Sequence, residues 1–515
     1  MIYLSKPRIV PETVEFRKYQ VNMAEGCLKR DSLVILPTGL GKTVVALIVA
    51  AEILEKGKKV LVLAPTKPLV DQHYRFFSSL LTDTKIGTMN GNMPPDNRMA
   101  VISDNDMIVC TPQVVSNDLD CQRYNLRDFG LIVYDEAHRA VGNYAYVNIA
   151  NYYHKGLTLG MTASPGSDMN KILEVCSNLG IQRVDVRTDD DEEVTPYIHD
   201  IYIDRIEVNM PEDLTKVIGL MNKILDSYVD SLRSLGLMDP NWPPSTKHML
   251  VIGNNLQMRL ARGEKTALVF RGLVCQSACV KMLHAIGLAE TQGMSALRSY
   301  IIKLDDDGNH QKGSKASKEI VASDEFKEIS KIVRTTKVEH PKISKVMTMV
   351  SNKINTDPNG KIIVFTQYRD TCDMIVDRLS RINGVNVTKL IGQANGGLKQ
   401  KEQVQLLSDF RSGKYNVIVS TSVGEEGLDI TSTDMVIFYE PIPSEIRTIQ
   451  RRGRTGRKNE GEVCVLVAKG TRDEVFENTS KKKEELMKEN LDNINAVLMR
   501  KGAVKNKRQL NLDKF

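Results

Sequence analysis

Aromatic residues are scarce in this chain of 515 residues: they make up 5% of it, and Trp242 is the single tryptophan. Its cores must therefore be filled by Ile, Val, Leu and the 21 methionines. Long apolar runs are also missing. The longest, Val44 to Ala51, has eight residues, against the roughly 20 that a helix needs to cross a bilayer. The opening MIYLSKPRIV has no stretch of signal-peptide length and no small-residue cleavage pattern. The eight cysteines include no C-x-x-C pair, which excludes a disulfide scaffold and a standard zinc cluster. Cys275 and Cys279, one helical turn apart, read as core. A strong charge of one sign is lacking too: 70 Lys and Arg stand against 64 Asp and Glu, a net +6, which permits a polyanionic partner without requiring one. These absences point to a soluble, cytoplasmic chain of several domains that uses no membrane.

What is present is a repeated habit. The runs SLVILP (32–37), KVLVLAP (59–65), MIVCTP (107–112), LIVYDEA (131–137) and LTLGMTASP (157–165) each end in a polar, Gly- or Pro-containing segment. KIIVFTQ (361–367), VTKLIGQ (387–393), NVIVSTS (416–422), MVIFYEP (435–441) and EVCVLVA (462–468) repeat it. Such runs, alternating with helical patterns, predict two parallel α/β sheets, with ligands at the carboxyl ends of the strands and a site in the cleft between the halves. The acidic run Asp189 to Glu193 reads as a solvated linker. From Leu214 apolar residues recur at helical spacing, opened by Pro211 and closed by Gly236. Further helical patterns reach about residue 335, interrupted by a polar loop, DDDGNHQKGSKASK (305–318).

Pro37-Thr38-Gly39-Leu40-Gly41-Lys42-Thr43 follows the first strand and opens a helix. Glycines let backbone N–H groups approach phosphates, Lys42 reaches the β- and γ-phosphates, and the Thr43 hydroxyl suits Mg²⁺. The full pattern wants glycine at 36, where Leu36 stands. Asp135-Glu136-Ala137-His138 ends a later strand: Asp135 is placed to hold Mg²⁺ and Glu136 to deprotonate the attacking water. A pair of acids capping the next helix is the plainer reading. Gln450-Arg451-Arg452-Gly453-Arg454-Thr455-Gly456-Arg457 suits a clamp on a transferring phosphoryl, with a general nucleic-acid patch as the rival for Arg451 and Arg452.

PTGLGKT, APTKPLVDQ (64–72), TPQ (111–113), DEAH, TAS (162–164), IVFTQ (363–367), STSVGEEGLDI (420–430) and QRRGRTGR stand in the order and spacing of superfamily 2 helicase motifs. Through SVGEEGLDI, FYEPIPSEIRTIQRRGRTGR, AKGTRDE and the helical insert, the chain resembles the archaeal Hef helicases and the Fanconi anaemia M-type DNA translocases, and more distantly the innate immune RNA sensors. The resemblance implies that Arg17 stacks on adenine and Gln20 bonds its edge. Thr38, Gly39, Gly41, Lys42 and Thr43 would cradle ATP, with Gly427, Asp429, Gln450, Arg454 and Arg457 approaching from the second domain. His138, Thr162 and Ser164 would couple phosphate state to domain movement. Thr66, Lys67, Thr111, Thr366, Gln393 and Thr421 would track a nucleic-acid strand. Hef proteins carry a nuclease half after the motor, and no ERKxxxD constellation occurs in this sequence.

The expected organisation is a first RecA-like domain over 1–205, a helical insert over 206–338, a second RecA-like domain over 339–470, a helix over 471–500 and a basic tail over 501–515. The expected activity is an ATP- and Mg²⁺-dependent helicase or translocase acting on forked or branched DNA. A duplex-RNA-stimulated ATPase, acting as RNA helicase or sensor, is the alternative. Lys312, Lys315 and Lys318, in the polar loop, are expected to meet duplex near a branch. Gln509, Leu512 and Phe515 resemble the sliding-clamp (PCNA) binding peptide of replication and repair proteins, with Leu512 and Phe515 on one face of a single turn.

Overall fold

Continuous apolar runs become strands because a parallel sheet covered by helices buries both of its faces. The computed structural model describes residues 2–198, 201–336, 338–392, 398–421, 433–444 and 461–501. In the first domain β1 (Ser32–Ile35), β2 (Lys59–Leu63), β3 (Ile86–Met89), β4 (Met107–Cys110), β5 (Phe129–Asp135), β6 (Leu157–Thr162) and β7 (Arg183–Val186) lie in the order β3-β4-β2-β5-β6-β1-β7, every pair parallel. Helix α1 (Lys18–Cys27) precedes β1, and α2 (Lys42–Glu55), α3 (Lys67–Leu80), α4 (Pro95–Asp104), α5 (Pro112–Asp120), α6 (Ala145–Tyr152) and α7 (Met169–Leu179) connect the strands. The run Val44–Ala51, too short for a membrane, forms the middle of α2, which is buried continuously from Val45 to Ala51.

The chain then changes sheets. Strand β8 (Ile201–Val208) pairs with a strand of the second domain over its whole length. This corrects the expected boundary at 205/206, which cuts through β8. The strand hides from sequence reading because it is an edge: Tyr202 and Ile203 are exposed, so IYIDRIEV carries no continuous apolar run. β3 and β7, also edges and also interrupted by Gly, Thr, Arg or Asp, were missed for the same reason.

The helical region comprises α8 (Glu212–Ser234), α9 (Thr246–Ala261), α10 (Ala267–Thr291), α11 (Met294–Asn309), α12 (Lys315–Ala322) and α13 (Asp324–Thr335). Helix α8 starts after Pro211 and stops at Gly236, whose φ of +66° a side chain would strain. The amides of Gly236 and Leu237 then bond the carbonyls of Arg233 and Leu232, closing the helix end. By length and composition α10 could cross a bilayer. Here it forms the centre of the bundle, burying Cys275, Cys279, Met282 and Ile286 against α8 and α9. The expected loop at 305–318 is largely helical. Asn309 ends α11, Ser314 caps α12, and Lys315 opens that helix, so only 310–314 form a turn. Sequence reading missed this because a serine cap and two polar helix ends look like loop composition.

The second domain adds α14 (Pro341–Thr356), β9 (Ile362–Phe365), α15 (Arg369–Leu379), β10 (Val387–Leu390), α16 (Gln400–Arg411), β11 (Val417–Ser420), β12 (Met435–Phe438) and β13 (Gly461–Ala468), in the parallel order β10-β11-β9-β12-β13-β8. Helix α17 (Arg472–Lys501) leaves this domain and docks on the first. Its Met487, Leu491, Ile494 and Leu498 join the first domain's core, and the Asn495 amide bonds both the N–H and the carbonyl of Val184.

A buried polar junction fastens the bundle to the second domain. Gln292 accepts the Thr371 hydroxyl, Arg472 pairs with Glu290, and Lys342 pairs with Asp473. The His340 Nε2–H donates to the Glu290 carbonyl at 3.0 Å while its Nδ1 accepts the Lys342 amide at 3.3 Å, so the ring is neutral. Burial, with Lys342 beside it, pushes the His340 pKa down to about 3. In the unfolded chain a histidine titrates near ~6.5, so the unfolded state binds the extra proton first and stability falls as pH drops below that value. Thermal unfolding followed from pH 7 to 5 should show a falling midpoint, and His340→Asn should flatten that slope.

Candidate functional site

The carboxyl ends of β1, β6 and β5, three neighbouring strands, bring the first domain's motifs together. After β1, Leu36 buries its side chain completely in the core. That explains why the loop accepts leucine where the full pattern has glycine: the side chain never meets the phosphate space. Gly39 and Gly41 adopt φ of +89° and +81°, and Gly41 caps α2, so Lys42 and Thr43 form its first turn. Lys42 Nζ donates to the Leu36 carbonyl at 3.1 Å, across the mouth of the loop. Thr38 flanks the glycines, partly exposed. A Cβ at Gly41 would lie 2.4 Å from Gln20 Nε2. Gly41→Ala should therefore weaken nucleotide binding about tenfold, from roughly 1–2 kcal/mol of left-handed strain alone, measured by titration with a fluorescent ATP analogue.

Gln20 is buried and its Nε2 donates to the Leu40 carbonyl at 3.0 Å, tying α1 to the loop. Arg17 pairs with Glu15 and lies over the Tyr197 ring, 4.4 Å from its centroid. Tyr197 was not foreseen: it follows the acidic run, and nothing local marks it. That run is more than a linker, because Glu193 pairs with Lys18 and accepts from Asn22 on α1.

Asp135 closes β5 and is buried. Its Oδ1 accepts the Glu136 amide at 3.0 Å and its Oδ2 lies 2.8 Å from His73 Nε2 on α3. Burial alone would raise the Asp135 pKa. The charge and hydrogen bond of His73, with Lys42 and the Glu136 amide, hold it below the usual carboxylate range instead. Glu136 has φ +49° and ψ +51°, a left-handed geometry rare for a non-glycine residue. The next residue but one, His138, lies 2.9 Å by its Nδ1 from Thr162 Oγ1 and 3.3 Å from Glu136 Oε2. Burial, then the nearby Arg139, pushes the His138 pKa down to about 4, so the ring is neutral near pH 7. Thr162 Oγ1 donates to the Ser164 carbonyl and accepts its amide, and Ser164 Oγ meets Met487 Sδ of α17 at 3.2 Å. A chain of contacts thus runs from Glu136 through His138, Thr162 and Ser164 to a helix that starts in the second domain. Met487 was also missed, since no periodicity links residues 323 apart.

The strand-tracking residues divide. Thr66 and Thr111 cap α3 and α5, and Lys67 is exposed at the first position of α3. The Thr66 hydroxyl is buried with no hydrogen-bond partner among the described residues. Thr366 is corrected: it is fully buried, and its hydroxyl donates to the Glu440 carboxylate at 3.3 Å, which takes it away from any strand. Thr421 is also buried, at the end of β11, and its amide bonds the Leu390 carbonyl. Lys312, Lys315 and Lys318 are exposed, but Lys315 and Lys318 stand on α12, and Lys318 Nζ bonds the Gln311 carbonyl. Gln393, Gly427, Asp429, Gln450, Arg454, Arg457, Gln509, Leu512 and Phe515 lie outside the described residues.

A glycine loop at the end of one strand, an acidic pair ending another in the same sheet, and a second parallel-sheet domain define a nucleoside-triphosphate-driven motor of the helicase class. Family models match in that order: type III restriction enzyme, res subunit, over residues 13–167; the helical bundle named for an ATP-dependent RNA helicase over 213–340; and the helicase conserved C-terminal domain over 341–459. The crystal structure of the Pyrococcus furiosus Hef helicase domain superposes with a TM-score of 0.71 at 42% identity, covering 90% of this chain and 98% of that one. The chain belongs to the Hef helicase family of superfamily 2. A Methanocaldococcus jannaschii protein, named provisionally as an ATP-dependent RNA helicase, is 40% identical over 500 residues, 96% of this chain and 63% of that protein. An ATP-dependent DNA helicase of Neurospora crassa is 31% identical over 488 residues, 89% of this chain and 41% of that protein. This chain therefore spans less than two thirds of either relative.

Proposed function

We propose that the chain hydrolyses ATP, with Mg²⁺, to move along nucleic acid, and that its preferred substrate is forked or branched DNA. The observation that carries the motor reading is the contact chain from Glu136 through His138, Thr162 and Ser164 to Met487, because it joins the hydrolysis site to a helix shared with the second domain. The donors present fit Mg²⁺: Asp135 and Thr43 offer hard oxygens, and no group of three or more His, Cys, Asp or Glu forms a metal cage among the described residues. Mg²⁺ commonly takes one or two protein oxygens and leaves the rest to phosphates and water, and it would neutralise charge on the transferred phosphoryl. Lys42 and the loop amides bind and orient the phosphates, Arg17 and Gln20 hold the base, and Glu136 takes the proton of the attacking water. Gly427 and Asp429 approach the nucleotide from the second domain, where Gln450, Arg454 and Arg457 bind the phosphate and let go once the γ-phosphate leaves. Thr66, Lys67 and Thr111, at the N-termini of two helices that follow the neighbouring strands β2 and β4, hold the strand by its phosphates, without reading sequence.

The DNA assignment draws on the name of the Neurospora relative and on the likeness to the Hef helicase domain. An RNA reading has its own support, in the names of the Methanocaldococcus relative and of the helical-bundle model. One assay separates them: ATPase stimulation by a DNA fork against duplex RNA of equal length. Stronger stimulation by the fork is expected, and stronger stimulation by RNA would replace the DNA assignment. Within the bundle, Lys312, Lys315 and Lys318 would reach duplex near the branch, so their triple alanine variant should weaken fork binding and flatten its salt dependence. The tail, with Gln509, Leu512 and Phe515, would engage a sliding clamp, which calorimetry of a 499–515 peptide tests directly. The proposed location is the cytoplasm.

A further inference from the structure

The buried face of α3 is formed by Val70, His73 and Phe77. Two of these are ordinary core residues. The third puts an imidazole, 5% exposed, where an apolar side chain would pack without losing hydration. Its polar partner is specific: His73 Nε2 lies 2.8 Å from Asp135 Oδ2, across 62 residues of sequence. A carboxylate oxygen can only accept, so the imidazole N–H is the donor in this contact. The other oxygen, Oδ1, accepts the Glu136 amide. The carboxylate is thus fixed from both ends, one by its own backbone and one by a helix from elsewhere in the domain. That helix begins at Thr66 and Lys67, which lie six or seven residues before His73, about 9–10 Å along the axis at 1.5 Å per residue.

We propose that His73 is a positioning residue: it holds the Asp135 carboxylate in the orientation that receives Mg²⁺, and it makes α3 a rigid link between the strand-holding helix end and the metal site. The orienting half rests only on the contact between the two side chains. The linking half rests on the proposed strand contacts of Thr66 and Lys67. A small displacement of α3 by a bound strand moves the donor of Oδ2 and leaves the donor of Oδ1 in place, so the carboxylate turns. Partners that orient a metal ligand from behind are typically worth about 10–100-fold in metal affinity. By linkage, whatever a strand does to metal–nucleotide affinity, the metal–nucleotide complex does to strand affinity.

The test uses the full chain with Mn²⁺ as a paramagnetic probe and a non-hydrolysable ATP analogue, reading bound metal by electron paramagnetic resonance. His73→Phe keeps an aromatic ring beside Phe77 but removes the donor. It should raise the Mn²⁺ dissociation constant about 10-fold or more, and it should abolish the change in that constant when a single-stranded oligonucleotide is added. His73→Gln, whose amide can reach the same oxygen, should restore most of both. Anisotropy of a labelled oligonucleotide without nucleotide should be the same in wild type and both variants. If His73→Phe proves unstable, His73→Asn, whose shorter amide falls away from Oδ2, is read in the same way. Wild-type Mn²⁺ affinity in a folded variant lacking the donor overturns the proposal and leaves His73 as packing. Lys67→Ala tests the underlying strand contact separately. Unchanged oligonucleotide affinity there removes the linking half, while the metal measurements on His73 still decide the orienting half.

Discussion

Glu136→Gln is expected to bind ATP as the unaltered chain does and to hydrolyse it about 10²–10⁴-fold more slowly, the usual worth of a positioned general base. Glutamine matches glutamate in shape, and it meets the same backbone requirement at φ +49°, so the turn that presents the side chain is retained. The Asp135 carboxylate, its hydrogen bonds and the glycine loop are untouched. What disappears is the group that takes a proton from water. Lys42→Ala differs in kind, because Lys42 serves the phosphates themselves; it should weaken binding and turnover together. Titration with a fluorescent ATP analogue beside a phosphate-release assay separates the two patterns. Turnover by Glu136→Gln near the unaltered rate would assign the base to another residue.

Lys342→Met is expected to produce the largest loss of stability, about 3–5 kcal/mol, the range found when one member of a buried ion pair is removed. Lys342 and Asp473 are completely buried, 131 residues apart, and pair side chain to side chain. Lys342 Nζ also lies 5.3 Å from the Tyr439 ring centroid. Asp473 has little to fall back on: Oδ2 accepts the Ala468 amide at 2.9 Å, while Oδ1 has no hydrogen-bond partner among the described residues. Without the lysine, a carboxylate stays in the interior held by one amide. The pair sits where the bundle, the second domain and α17 meet, so the damage should concentrate there. Hydrogen exchange should quicken in α14 and in the first turns of α17 before it changes in β1 to β7. Lys342→Met/Asp473→Asn should recover much of the loss, since no charge then remains buried and the Ala468 amide keeps its acceptor. A double variant as unstable as the single one would mean that packing around Lys342, and not its charge, holds the junction.

Two kinds of information in this chain had different ranges. Nine interior strands stand out as apolar runs because an interior strand of a parallel sheet is covered on both faces, and of the four edge strands β10 was also read, from VTKLIGQ. The other three edges, β3, β7 and β8, do not, because an edge such as β8 leaves Tyr202 and Ile203 in solvent and loses the pattern. Motifs whose chemistry lies within a few residues were equally legible. Gly39, Gly41, Lys42 and Thr43 must be neighbours to wrap a phosphate, as Asp135, Glu136 and His138 must be to end one strand.

The interactions that assemble these parts left no such trace. Thr366 reads as a strand contact until the fold turns it onto Glu440. Lys315 and Lys318 read as loop until Ser314 caps a helix there. His73 on Asp135, Tyr197 over Arg17, Met487 on Ser164 and Lys342 on Asp473 join residues from 62 to 323 positions apart. The sequence by itself determined the class of fold, the order of the two α/β halves and the residues of the phosphate loop, because each depends on burial or chemistry repeated within a few residues. Tertiary structure alone decided which sheet β8 joins, what orients Asp135 and how α17 ties the two domains together, because a hydrogen bond or a buried charge is paired by proximity in space, and the chain writes no period for that.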